Sequence, residues 1–240
     1  MNSKPGILSP FLQRHSVPAL LLLAFIAAPL RAGEPSYLPA GHPDAIALLA
    51  PPPLHGSPEQ AADLASTVAI HSRCTPTEAA LAKSEKKFSV FVFAPAIGTF
   101  FQPGKLPKTE AFFQRVEKET GEVTDTAKDY WKRPRPYTVD PTLSSGDPEK
   151  SFAYPSGHST HATVLALLLA DLLPDKKDGV LSLSRDIGWR RVLTAKHYPT
   201  DIYAGRVLAQ AIVRELKANP AFQRDFAEVR AEIAAAKRGN

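Results

Sequence analysis

Twelve residues, Ala162 to Leu173, are apolar except for Thr163 and Asp171. A helix of that composition is apolar on nearly all sides, and such a helix is stable only when other elements cover it. The run therefore predicts a buried central helix at about residues 162–173, and the length and mostly helical pattern of the rest of the chain predict an all-α, single-domain helical bundle around it. Val164 to Leu173 is about half the roughly 20 residues that a spanning helix needs, and Asp175, Lys176 and Lys177 follow it, so it does not suit a bilayer. Directly before the run stands Tyr154-Pro155-Ser156-Gly157-His158. A Pro-Ser-Gly turn opening a helix leaves backbone N–H groups unpaired, and with the helix dipole these can hold an anion. His158 then lies beside the anion; an ordinary Ser N-cap with an exposed histidine is the bland alternative.

Ahead of this core, Lys4 and Arg14 precede the apolar Val17 to Leu30, and Leu30-Arg31-Ala32 offers a small residue for cleavage. That pattern reads as an export signal over residues 1–32, with an uncleaved anchor as the competing reading. Export of this kind places the mature chain in the periplasm, or outside the cell. Lys4, Arg14 and Arg31 leave with the signal and no acid does, which lowers the formal net charge from +5 to +2. With no long basic block and no aromatic platform, nucleic acid is not an expected partner. Cys74 is the only cysteine, so no intrachain disulfide can form, and a small buried hydrophobe is its simplest role.

Residues 33–56, with Pro51-Pro52-Pro53, predict an extended N-terminal arm, and residues 57–240 the helical domain. Ser57-Pro58-Glu59-Gln60 is a helix start, with a helix to about His71, and Thr75-Pro76-Thr77-Glu78 repeats the signal. A second helix over Ala79 to Phe93 is expected after it; Phe88 to Phe93 also alternates like a strand, but no partner strand is in view. A loop over Pro95 to Pro107 leads to a helix from Thr109 to Trp131, buried through Phe112, Phe113, Val116, Val123 and Ala127, with Gly121 as a possible break. Pro134 and Pro136 end it. A loop covers Thr138 to Lys150, and helices are expected at Leu181 to Lys196, Ile202 to Ala218 and Ala221 to Lys237.

Three basic clusters point to one phosphate site. Lys128 and Arg135 are seven apart, nearly one face of a continuous helix, but the prolines interrupt that helix, so Arg135 is expected to project back over the same pocket from the helix end. Arg133 points about 140° away from Lys128 on an ideal helix and reads as surface or as support behind the site; Lys132 reads as solvated. Downstream, His197 and Asp201 are four apart, close enough for a carboxylate to reach the imidazole and fix its tautomer. A plain helix-start acid is the other reading of Asp201.

Lys128-x6-Arg135-Pro136, Pro155-Ser156-Gly157-His158 and Arg191-x5-His197-x3-Asp201 together resemble the three-part signature of the type 2 phosphatidic acid phosphatase superfamily. Leu49-Ala50-Pro51-Pro52-Pro53, the block from Asp129 to Tyr137, and Asn219-Pro220-Ala221-Phe222-Gln223 are similar to its exported class A bacterial non-specific acid phosphatases. The resemblance covers nearly all of the chain after the signal. It implies an all-helical, metal-independent phosphomonoesterase with no cofactor, broad in small phosphate monoesters, inhibited by inorganic phosphate or vanadate, and assembled as a homo-oligomer. It further implies that His197 attacks phosphorus to form a phosphohistidine, that Asp201 orients it, and that His158 protonates the leaving alkoxide. Lys128, Arg135 and Arg191, the N–H groups of Ser156 and Gly157, and the Ser156 hydroxyl are implied to hold the phosphate.

Two positions depart from that pattern. Arg190 stands where relatives carry a small residue, and reads as a solvated arginine or an extra phosphate ligand. His161, one turn after His158, reads as structural. The competing functions are a vanadium-dependent haloperoxidase, for which the chain is short, a periplasmic phosphatase acting on lipid phosphates, and a non-catalytic anion-binding protein.

Overall fold

The structure, a computed structural model, describes residues 1–2, 36–86, 88–143 and 148–239. The export signal expected over residues 1–32 lies almost wholly outside the described residues. Pro35 to Asn240 form one compact unit, and among its described residues there are helices and no strand.

The arm is extended except for one turn, α1 (Ala45–Leu48), which the Asp44 carboxylate caps by accepting from the Ile46 and Ala47 N–H groups, so the expectation of an arm without helix is corrected at that turn. It is also anchored: Glu119 accepts the backbone N–H groups of Tyr37 and Leu38 at 3.1 and 2.8 Å. Next come α2 (Pro58–His71) and α3 (Pro76–Ser84), both opened by the side chains read from the sequence. Ser57 Oγ accepts from the Gln60 N–H, and Thr75 with Glu78 forms a full capping box.

The second helix was expected to run on to Phe93, and here the fold differs. Helix α3 stops at Ser84, Val90–Phe93 forms a 3₁₀ turn, and α4 (Ala94–Ile97) lies inside the expected loop. Val90, Phe91 and Phe93 are all buried. Burying such closely spaced side chains in one core suits a tight irregular turn rather than an amphipathic helix, so tertiary packing overrides local periodicity.

Helix α5 (Pro107–Trp131) is continuous through Gly121. It ends at Lys132, which is left-handed (φ 47°) and donates its N–H to the Lys128 carbonyl. After α6 (Pro136–Val139), the central helix is α7 (Gly157–Leu172), flanked by α5, α8 (Lys177–Leu193) and α9 (Pro199–Ala218). Val164, Leu165, Leu168 and Leu169 of α7 are fully buried, as their apolar surroundings on every side require. Helix α10 (Pro220–Arg238) follows Asn219, whose side chain accepts from Ala221 and Phe222, and packs on α5 and α9. Among the described residues no helix is long and apolar enough to cross a membrane.

Candidate active site

Helix α7 begins where the sequence placed it, and a third helix makes its start tight. Ser156 is the N-cap, with its Oγ accepting from the Ser159 N–H. A Cβ on Gly205 of α9 would stand 2.8 Å from the Ser156 carbonyl oxygen and 3.0 Å from the Ser159 Cβ. Only glycine allows α9 to come this close to the start of α7. The Ser156 N–H donates to the Asp201 carbonyl at 3.0 Å. That bond corrects one part of the phosphate set expected from the sequence: the Ser156 N–H is committed to the fold, and the amides left at the helix start are those of Gly157 and His158.

Two irregular segments bring the basic residues to the same place. Beyond the left-handed Lys132 the chain doubles back, so Arg135 opens α6 and faces the same cavity as Lys128. At the other end, Ala195 is left-handed (φ 52°), and the Arg191 carbonyl accepts the N–H groups of Lys196 and His197 at 2.9 and 3.1 Å. The turn fixes His197 beside the last turn of α8, from which Arg191 projects. A cavity of about 250 Å³ is lined by Lys128, Arg135, Gly157, His158, Arg191 and His197, together with Phe88, Glu117, Asp125, Glu149, Ser151 and His161.

His197 is 2% exposed and held from both sides. Its Nδ1 lies 3.2 Å from Asp201 Oδ2, and its Nε2 lies 2.9 Å from Arg135 NH1. An arginine can only donate, so Nε2 accepts and the proton sits on Nδ1, donated to Asp201. Burial, then Arg135, Lys128 and Arg191, hold the imidazole well below its ordinary pKa and therefore neutral. Asp201 also accepts the Tyr198 N–H at 2.9 Å and pairs with Arg133 at 2.6 Å. Burial pushes its carboxyl up to about 6, against the pull of Arg133 and the Tyr198 N–H.

Arg133 is neither exposed nor part of the cavity wall. Its guanidinium is buried, donating to Asp201 Oδ1, Thr200 Oγ1, Gln60 Oε1 and Asp63 Oδ2, and it lies 3.9 Å from the centre of the Tyr198 ring. It thereby locks α2 to the start of α9 and fixes Asp201. Arg190 is likewise neither solvated nor in the cavity lining: it grips Glu85 through Nε and NH2. The Glu85 carbonyl in turn lies 3.3 Å from His158 Nε2. His161 is structural as expected, with Nδ1 2.8 Å from the Gly157 carbonyl and Nε2 3.0 Å from the Glu117 carbonyl, tying α7 to α5.

One short segment satisfies the three cations. Lys128 Nζ donates to the Phe152 carbonyl at 2.6 Å, Arg135 to the Ser151 carbonyl at 3.0 Å and the Ser151 hydroxyl at 3.1 Å, and Arg191 to Glu149 Oε1 at 2.9 Å. Burial first, with Arg135 second, pulls Lys128 down to about 7; burial and then Arg191 take His158 down to about 3. The site is a cationic pocket whose fixed charges are only partly neutralised, suited to an anion that can bring its own charge. Among the described residues, no group of three or more His, Cys, Asp or Glu is arranged to hold a metal ion.

Sequence reasoning did not find Glu149, Glu117, Glu85, Asp63 or Gly205. Glu117 alone carried a signal, since it lies eleven residues before Lys128 and thus on nearly the same face of α5. The others act through partners distant in the chain.

Residues 120–222 match the PAP2 superfamily model. An acid phosphatase of Zymomonas mobilis is 30% identical over 88% of this chain and 84% of its own length. A non-specific acid phosphatase of Salmonella typhi is 32% identical over 59% of each protein, and one of Providencia stuartii 28% over 61% of each. In fold, the chain is similar to the transmembrane PAP2-type phosphatidylglycerolphosphate phosphatase of Bacillus subtilis, with a TM-score of 0.50 and 22% identity over 72% of this chain and 89% of that one. The chain therefore belongs to the PAP2 superfamily, among its acid phosphatases, and is a phosphoric monoester hydrolase.

Proposed function

We propose that this phosphatase is exported, works without a metal ion, and hydrolyses small phosphate monoesters through a phosphohistidine on His197. The observation that carries the proposal is the state of His197: proton on Nδ1 toward Asp201, lone pair on Nε2 beside Arg135 in the cationic cavity. When substrate phosphate takes the guanidinium, that lone pair faces phosphorus. His158, neutral before substrate binds, takes up a proton when the anionic substrate offsets the cations around it. Nε2 of His197 attacks, the ester P–O bond breaks, and His158 gives that proton to the departing alkoxide. Water then attacks the phosphohistidine while His158 takes its proton, which releases phosphate and restores neutral His197.

Phosphoryl transfer of this kind asks for positioning and charge neutralisation. Lys128, Arg135 and Arg191 supply the charge, and the amides of Gly157 and His158 add donors that need no reorganisation. Asp201 stabilises the imidazole as positive charge develops on it. An alcohol in place of water in the second step gives phosphotransfer as a side activity.

The test is hydrolysis of p-nitrophenyl phosphate in EDTA from pH 4 to 9, beside the His197→Ala protein, with acid-quenched protein analysed for phosphohistidine. Activity that survives EDTA, a bell-shaped profile on the acid side of neutral, and loss of both turnover and the phosphoprotein in His197→Ala are expected. Activity abolished by EDTA, or a turnover untouched by His197→Ala, overturns the proposal.

A further inference from the structure

The lining of the cavity divides into two chemistries. Lys128, Arg135, Arg191 and His197 form a cationic group. Phe88, Glu117 and His161 line the cavity without belonging to that cationic group. Glu117 and Lys128 share one line of α5 but are separated by roughly 16 Å along its axis. His158 connects the two groups, with its ring edge-on to Phe88 at 6.0 Å between centroids.

Glu117 is the unexplained group here. Its Oε1 is buried and has no hydrogen-bond partner, while the Val90 backbone N–H hydrogen-bonds the same carboxyl. A buried polar atom without a partner costs stability unless something else satisfies it. None of the phosphate chemistry uses this oxygen. Because the leaving oxygen must lie near His158, the alcohol of the substrate extends from there toward Phe88 and Glu117.

We infer that Phe88 and Glu117 form a subsite for the alcohol portion of the substrate, and that Glu117 selects phosphate monoesters of polyhydroxylated alcohols, such as sugar phosphates, by hydrogen bonding a remote hydroxyl. A sugar matches both walls, since its C–H faces pack on an aromatic ring and its hydroxyls both donate and accept. Burial pushes the Glu117 carboxyl up to about 7, so at acid pH it is a neutral acid that can bond a hydroxyl either way without repelling the neighbouring phosphate. The exposed Asp125, also in the lining, adds an acceptor toward solvent.

This inference rests on the phosphatase reading, and the experiment separates the two. Wild-type protein is assayed on p-nitrophenyl phosphate, glucose 6-phosphate and cyclohexylmethyl phosphate, the last a ring of similar size without hydroxyls. The subsite predicts a kcat/KM for glucose 6-phosphate about tenfold above that for cyclohexylmethyl phosphate. Glu117→Leu is expected to raise KM for glucose 6-phosphate about tenfold more than it raises KM for p-nitrophenyl phosphate or cyclohexylmethyl phosphate. Glu117→Gln, which keeps a hydrogen-bonding group in place, should stay near wild type on all three. Equal rates of the wild type on the two ring substrates, or losses in Glu117→Leu that are equal for all substrates, overturn the subsite. Failure to hydrolyse even p-nitrophenyl phosphate overturns the phosphatase reading instead.

Discussion

In the proposed mechanism Glu149 occupies the place of a substrate oxygen on Arg191. Its carboxylate takes the Arg191 guanidinium at 2.9 Å, its backbone N–H is held by the Tyr137 hydroxyl at 2.9 Å, and it is about three-tenths exposed. An entering phosphate must therefore displace one anion to gain its own contact with Arg191. Replacing the carboxylate by an amide keeps the size and removes the competing charge. Glu149→Gln should bind inorganic phosphate about two- to fivefold more tightly, the scale of a partly exposed ion pair. Inhibition constants against p-nitrophenyl phosphate measure this directly; an unchanged or weaker constant would show that Glu149 holds Arg191 in place instead of competing for it. The neutral cost is small because this pair is at the cavity mouth, unlike the pair behind it. Arg133 and Asp201 are both enclosed, and there loss of Arg133 leaves two buried carboxylates, Asp201 and Asp63, without their cation.

Between α7 and α9 the decisive residue is Gly205. Adding one methyl group there forces the Ser156 carbonyl or α9 itself to move, and the carbonyl belongs to the turn that presents Gly157 and His158. Gly205→Ala should cost about 1–3 kcal/mol of stability, the usual range for overpacking, and should lower kcat on p-nitrophenyl phosphate. Chemical denaturation and steady-state kinetics on one preparation test both; full activity with a wild-type midpoint would mean the two helices can separate without moving the site. The central helix was legible because its apolar run admits no exposed solution, and the candidate site was legible because His158 follows the start of α7 while Arg191, His197 and Asp201 lie close in sequence between the last turn of α8 and the start of α9. What the sequence did not disclose depends on side chains that meet only after folding. Arg190 could not be assigned to Glu85, nor Arg133 to Asp63, without knowing that α3 lies on α8 and α2 on α9. The same holds for Phe88 to Phe93, whose alternation was ambiguous and whose packing decided the matter.

The molecule as a whole carries a conflict between the acid-side working range proposed for it and three histidines whose burial disfavours the charged form. His158, His161 and His197 are all shifted below the ordinary imidazole pKa, burial being the first cause in each. Below pH about 6.5 the unfolded chain binds more protons at these positions than the folded one, so their contribution to stability is lost as pH falls. Glu117 and Asp201, raised to about 7 and about 6, act in the opposite direction, since the folded state keeps protons there that the unfolded chain has released. His158 falls further, to about 3, than Glu117 or Asp201 rises, and His197 lies well below its ordinary value, so the ligand-free protein should melt at a lower temperature at pH 4.5 than at pH 7. Inorganic phosphate lets His158 and its neighbours take up protons, so its stabilising effect should be larger at pH 4.5. Melting curves at both pH values, with and without phosphate, test the linkage; a ligand-free protein equally stable at both would contradict it. Tyr37 has a consequence of another kind. Its hydroxyl donates to Asp225 at 2.6 Å, across 188 positions of sequence, and its ring meets Phe112 and Phe222. A chain synthesised from its N-terminus has Phe112 and Glu119 to offer the arm well before Asp225 and Phe222 exist. The arm can therefore meet α5 first, and only its contacts with Asp225 and Phe222 wait for α10.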